Sequence, residues 1–178
     1  MLTSLKEKIT NSILDWKIKG KEYQNQSFSD FFKKAFNFLV IMPEEDADFA
    51  HSMQVLDYLE RNKKHVTIFI LDFRVSLLPL KYRPRVVEHN MASRSPLKLQ
   101  SNKTIDKLEG MSFQVIIDLN RKEDKFCTYV ASVVNAPFKI GFAKENSDKV
   151  YNFQVKENVQ EPEIAYKNFL ECLEKFNS

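Results

Sequence analysis

The chain is expected to fold as an α/β protein, a three-layer Rossmann-like sandwich around a mostly parallel sheet. Two observations carry that expectation. Short β-prone runs alternate with helical patterns along the sequence: "FNFLVIM" (36–42), "HVTIFIL" (65–71), "RVVEHN" (85–90), "FQVIIDL" (113–119) and "FKIGF" (138–142). Such alternation implies a parallel sheet covered by helices on both faces. Several of these runs are apolar without interruption, as strands buried on both faces must be. Right-handed crossovers then give the order 3-2-1-4-5, with a sixth strand, "VYNFQV" (150–155), at one edge.

Each element has its own pattern. Residues 2–19 read as an amphipathic helix with Leu2, Leu5, Ile9, Ile13 and Trp16 on one face, ended by Gly20. It is followed by a polar link, so that 1–27 form a helix and linker ahead of one domain, 28–178. Ser29 is placed to cap a short helix before strand one. Asp46 to Asn62 reads as a helix with Phe49, Met53, Leu56 and Leu59 inward. Residues 73–82 form a short helix or turn before Pro84, 91–103 a loop, and Thr104 to Leu108 one helical turn. Asp124 to Val134 is a helix burying Phe126, Val130, Val133 and Val134. Pro162 opens the last helix, whose apolar stripe is Ile164, Phe169, Leu170, Leu173 and Phe176.

Composition narrows the function. With 178 residues and 43% hydrophobic content the chain suits one globular domain. A net charge of +3 is too mild and scattered for a dedicated nucleic-acid binder. Cys127 and Cys172 have no metal-ligand spacing and fall on apolar helix faces, which points to inert thiols in a reducing cytoplasm. No apolar run reaches the ~20 residues of a membrane span. Lys6, Lys8, Lys17, Lys19 and Lys21 make the first helix basic. It is read as docked on the domain or on a partner chain, with peripheral contact to anionic lipid as the alternative.

In an open parallel sheet, ligands bind beyond the strand ends where the strand order reverses, here between strands one and four. The turn after strand one is "PEEDAD", with Glu44, Glu45, Asp46 and Asp48 and no glycine. Strand four ends at Asp118, with Asn120 and Arg121 following. A dinucleotide needs glycines where pyrophosphate meets a helix N-terminus, so no such cofactor is expected, although Asp72 stands where a ribose-binding acid would. A receiver-type phosphoacceptor is excluded because strand three ends in Glu88, His89 and Asn90 rather than an acceptor Asp. The rim acids are read first as helix capping and solvation, then as a catalytic carboxylate, then as a Mg²⁺ or small-ligand site. His51, His65 and His89 show no paired ligand spacing and are read as surface or partly buried side chains, and no metal ligand set is assigned. The basic 81–103 segment is read as a solvated loop or as an anion- or partner-binding surface.

Two blocks resemble a known family. "FLVIMPEEDADFAHSMQVLDYLE" (38–60) is similar to the opening of the heptosyltransferase-type glycosyltransferases of the GT-B class. There a strand is followed by a Gly-Asp pair at a helix head, matched here by Ala47 and Asp48. "FQVIIDLNRKEDKFCTYVASVVNAPFKIGF" (113–142) resembles a later block of that family, with Asp118, Ala136, Pro137, Ile140, Gly141 and Phe142 in place. The resemblance spans 36–142, one lobe of two, and extends to small bacterial proteins that keep only this lobe. It implies sugar transfer from a nucleotide-sugar to a lipopolysaccharide acceptor, with Asp48 as the general base and the donor bound by the other lobe. The expectation is therefore a non-catalytic GT-B-like binding or assembly module. The alternative is the acceptor-side half of an enzyme completed by another chain.

Overall fold

The computed structural model describes residues 28–94, 103–145 and 147–177. The expected N-terminal helix and most of the 91–103 loop lie outside or at the margin of these residues. Six parallel strands form one sheet in the order β3-β2-β1-β4-β5-β6. They are β1 (Asn37–Ile41), β2 (His65–Leu71), β3 (Val86–His89), β4 (Val115–Asp118), β5 (Phe138–Phe142) and β6 (Phe153–Val155). The helices are α1 (Phe28–Lys34), α2 (Asp46–Arg61), α3 (Lys103–Glu109), α4 (Lys125–Val133) and α5 (Pro162–Lys175).

The period-two alternation of the strands divides the core into two layers. Phe38, Val40, Ile68 and Ile117 face α1, α2 and α5, where Leu56, Leu59, Tyr166 and Phe169 are fully buried. Leu39, Ile41, Phe69 and Ile116 face α3 and α4, against Leu108, Phe126 and Val130. Each such large side chain contributes about 1.5–3 kcal/mol by leaving water. The sandwich is three-layered because neither sheet face is left polar.

Local chemistry sets the element ends. At the end of α2, Lys63 takes the left-handed φ of 57°. The N–H groups of Lys63 and Lys64 close back on the carbonyls of Glu60 and Leu59, the pattern that satisfies a helix terminus. Lys64 Nζ then donates to the carbonyls of Phe32, Lys33 and Ala35, capping α1 from the side. Its burial lowers its pKa. Gly141 lies close against Tyr151: a Cβ there would stand 3.2 Å from the ring, which would have to give by a few tenths of an ångström.

The segment after β2 is a 3-10 turn, Asp72–Leu77, with further turn to residue 82, in keeping with the short helix or turn expected there. Several other expectations are corrected. The α1 helix starts at Phe28, so Ser29 lies inside it. Strand β6 begins only at Phe153, because Val150 and Tyr151 are buried in the turn before it. Ile164 is 44% exposed and leaves the stripe of α5, since Ala165 and Tyr166 take the sheet-facing positions. His89 is 5% exposed, a core residue rather than a surface one.

Candidate functional site

Strands β1 and β4 lie side by side, with Ile41 opposite Asp118, and their following loops diverge. Between those loops is an open cleft of about 450 Å³, lined by residues 43–46, Asp48, Arg74 and residues 120–124. The structure thus brings Glu44, Glu45, Asp46, Asp48, Asn120 and Arg121 together, as the switch-point argument requires. Asp118 lies beneath the cleft and does not line it.

The acids do not cap α2. Glu45 is the N-cap residue, and no side chain accepts a hydrogen bond from the first turn. Each carboxylate instead meets a cation from elsewhere. Glu44 accepts from Arg94 Nη1 at 2.6 Å and Glu45 from Lys122 Nζ at 3.0 Å. Asp46 accepts from Arg74 Nη2 at 2.8 Å and Asp48 from Arg121 Nε at 2.7 Å. Arg74 follows β2, Arg94 follows β3, and Arg121 and Lys122 follow β4. The glycine-free turn is a hub that ties three loops to the loop after β1.

The hub grades from wet to dry. The Lys122–Glu45 side chains are 70% and 56% exposed, so that pair is weak. Arg94 is held more deeply, between Glu44 and Asp124, with its guanidinium 5.5 Å from the centre of the Phe126 ring. Asp124 in turn accepts from the Phe126 and Cys127 N–H groups at 3.0 Å, capping α4. Burial pushes the Asp124 pKa up, but the Arg94 charge and these hydrogen bonds outweigh it and hold the carboxyl below its usual range. Arg74 is nearly buried over the Phe49 ring at 4.9 Å, and its Nε has no hydrogen-bond partner among the described residues.

Asp48 is 2% exposed. Arg121 takes its Oδ1 and reaches on to the carbonyls of Val159 and Gln160, at 3.4 and 3.2 Å, in the segment leading to α5. The other oxygen, Oδ2, has no hydrogen-bond partner among the described residues, and the residue lines the cleft.

Beneath the rim is a second, interior knot. Asp118, with no exposed surface, accepts from Asn120 N and Nδ2 at 3.0 and 2.7 Å. Its other oxygen takes Lys144 Nζ at 2.8 Å and Tyr151 Oη at 2.5 Å. Burial, and then the Asp118 charge, raise the Tyr151 pKa well above its ordinary value. Burial, followed by the charges of Asp124 and Asp118, likewise raises the Cys127 thiol well above its own, which disfavours the thiolate. His89 lies between the Phe69 and Phe126 rings, at 4.3 and 5.1 Å. Burial and then the Arg94 charge push its pKa down to about 4, and its Nδ1 has no hydrogen-bond partner among the described residues.

Among the described residues no group of three His, Cys, Asp or Glu side chains converges to hold a metal ion. The cations hold the rim acids apart. Sequence reasoning missed the pairing roles of Arg74, Arg94, Lys122 and Asp124 at the rim and of Lys144 and Tyr151 below it. The available signal was position: a basic residue follows the end of each of strands β2, β3, β4 and β5 within a few residues. Compared with protein-family models, with curated proteins and with solved structures, the chain gives no match. Fold and site define its class as a Rossmann-like α/β domain with a charge-paired rim. No described helix is long and apolar enough to cross a membrane.

Proposed function

We propose that the chain is a non-catalytic, GT-B-like binding or assembly module related to the N-terminal lobe of the heptosyltransferase-type glycosyltransferases. The observation that supports this reading is the state of Asp48. A general base must come within hydrogen-bond reach of the proton it abstracts. Asp48 is only 2% exposed, and its Oδ1 is held by Arg121, which anchors it to the Val159–Gln160 backbone and keeps it back from an incoming hydroxyl. Partner contact through the N-terminal segment or the 81–103 region, in a bacterial cytoplasm, belongs to the same reading. The free Cys127 and Cys172 fit a reducing compartment. The test is to incubate the purified chain with nucleotide-sugars and sugar acceptors and to follow release of the nucleotide. None is expected, and turnover by the chain alone would sink the proposal.

One observation favours the second reading, the acceptor half of a two-chain enzyme. Oδ2 of Asp48 is unpartnered among the described residues and its residue lines the cleft, so a hydroxyl could be met there without breaking the Arg121 pair. Under that reading, Asp48→Asn abolishes transfer in the reconstituted pair while the fold survives. Unchanged transfer would remove Asp48 as the base. A Mg²⁺ or small-ligand site on the rim is the third reading, tested by whether Mg²⁺ raises the melting temperature.

A further inference from the structure

The sheet has an open edge at β3. This strand pairs with β2 on one side, and no strand pairs with its other side among the described residues. An edge strand offers outward N–H and C=O groups to any extended chain that reaches it. Beside it runs a groove of about 480 Å³ lined by Val75, Val86, Val87, Arg83, Lys103 and Lys107 among others. Lys103 and Lys107 are four residues apart on α3, on one helix face. Arg83 spends its guanidinium on the neutral carbonyls of Leu78 and Ser76. None of these three cations has an acid partner among the described residues, whereas Arg74, Arg94, Arg121 and Lys122 of the rim each have one. The one acid in the groove is Glu88, itself exposed.

We infer that the β3 edge is a docking site for an acidic, extended peptide segment of another protein, added to the sheet as a strand. Backbone groups of β3 would supply affinity, the half-buried Val75 and Val86 would take alternate small apolar side chains, and the three cations would select carboxylates on the others. Charge argues against two other occupants. A second copy of the chain would bring Arg83, Lys103 and Lys107 against themselves. The chain's own residues 1–27 carry Lys6, Lys8, Lys17, Lys19 and Lys21 against Glu7, Asp15 and Glu22, a positive balance.

The inference rests on the binding-module reading, but its test is separate: turnover of a nucleotide-sugar would sink that reading and leave the peptide measurement untouched. The probe is a short fluorescein-labelled peptide of alternating valine and glutamate, titrated with the full chain and followed by anisotropy. A valine–lysine peptide is the control. The glutamate peptide should bind and the lysine peptide should not. The double variant Lys103→Glu/Lys107→Glu, at exposed positions that leave the fold alone, should weaken binding about tenfold or more. Amide shifts on binding should centre on residues 86–89. The proposal is overturned by no binding, by equal binding of both peptides, by an unaffected double variant, by amide shifts confined to the rim cleft, or by self-association through β3 in place of peptide binding.

Discussion

Asp48 lines the cleft and Asp118 lies beneath it, both buried and both paired with a cation, yet their surroundings differ in kind. Asp118 has four donors on two oxygens: Asn120 N, Asn120 Nδ2, Lys144 Nζ and Tyr151 Oη. Its Lys144 partner is only 4% exposed at the side chain. Asp48 has one donor on one oxygen, and its Arg121 is 16% exposed. A carboxylate with every lone pair assigned is part of the architecture, since buried charges persist only when so satisfied. A carboxylate with one oxygen open to a cleft keeps room for a ligand. The lower aspartate holds the ends of β4 and β5 together, while the upper one lines the cleft.

Removing the lower carboxylate should break that contrast most visibly. Asp118→Ala strips Lys144 of its counter-charge and Tyr151 of its acceptor inside the protein. The expected loss is about 3–5 kcal/mol, the range for one buried partner removed from its pair. Urea unfolding measures it. If Asp118→Ala costs no more than Asp48→Asn, the two sites are not different in kind.

The burial that separates the two layers has its own pH signature at His89. Its folded pKa is about 4, against an ordinary 6.5. Above pH 6.5 both folded and unfolded chains hold it neutral, and its contribution is constant. As pH falls from 6.5 towards 4 the unfolded chain takes a proton that the folded chain refuses, so stability declines through that window. The decline from this one group is about 3 kcal/mol in total. His89→Phe, which keeps an aromatic ring between Phe69 and Phe126, should flatten the slope of stability against pH there. An unchanged slope would mean that the ring is wetter in solution than the packing implies.

Asp48→Asn should cost less, about 1–2 kcal/mol, because the amide oxygen still accepts from Arg121 and the guanidinium keeps the Val159 and Gln160 carbonyls. Thermal melts of the variant beside Asp118→Ala rank the two sites directly.

The parts of this arrangement legible in the sequence are those that depend on local pattern. Runs such as Phe38–Ile41 and Val115–Ile117 are apolar because both their faces are covered, so the sheet order followed from alternation and handedness. The acids of the turn were legible as rim residues because they follow a strand end. Their purpose was not, because an ion pair between Asp48 and Arg121 spans 73 residues of sequence. Pairing at that range depends on the lateral order of strands and on loop paths, which no local spacing encodes. Tyr151 shows the opposite error. Its apolar, β-prone neighbourhood reads as strand, but the ring lies on Gly141 and its hydroxyl serves Asp118, which pulls the segment out of the sheet. Ala47 sits in the first turn of α2, where a Cβ costs nothing.

The weakest member of the hub sets the lower bound of the contrast. Glu45 and Lys122 approach to 3.0 Å with both side chains more than half exposed. Water screens that attraction, and ordering two long side chains costs entropy, so an isolated pair of this kind contributes little. Glu45→Gln should change stability by no more than about 0.5 kcal/mol, and that small difference should vanish in molar salt, where the Debye length falls to about 3 Å. Unfolding of Glu45→Gln in low and high salt checks both statements. A loss above about 1 kcal/mol, or one that survives high salt, would mean that the four pairs act as one network. The turn would then be a single cooperative clasp, and Asp48 would owe its position to Glu44, Glu45 and Asp46 as much as to Arg121.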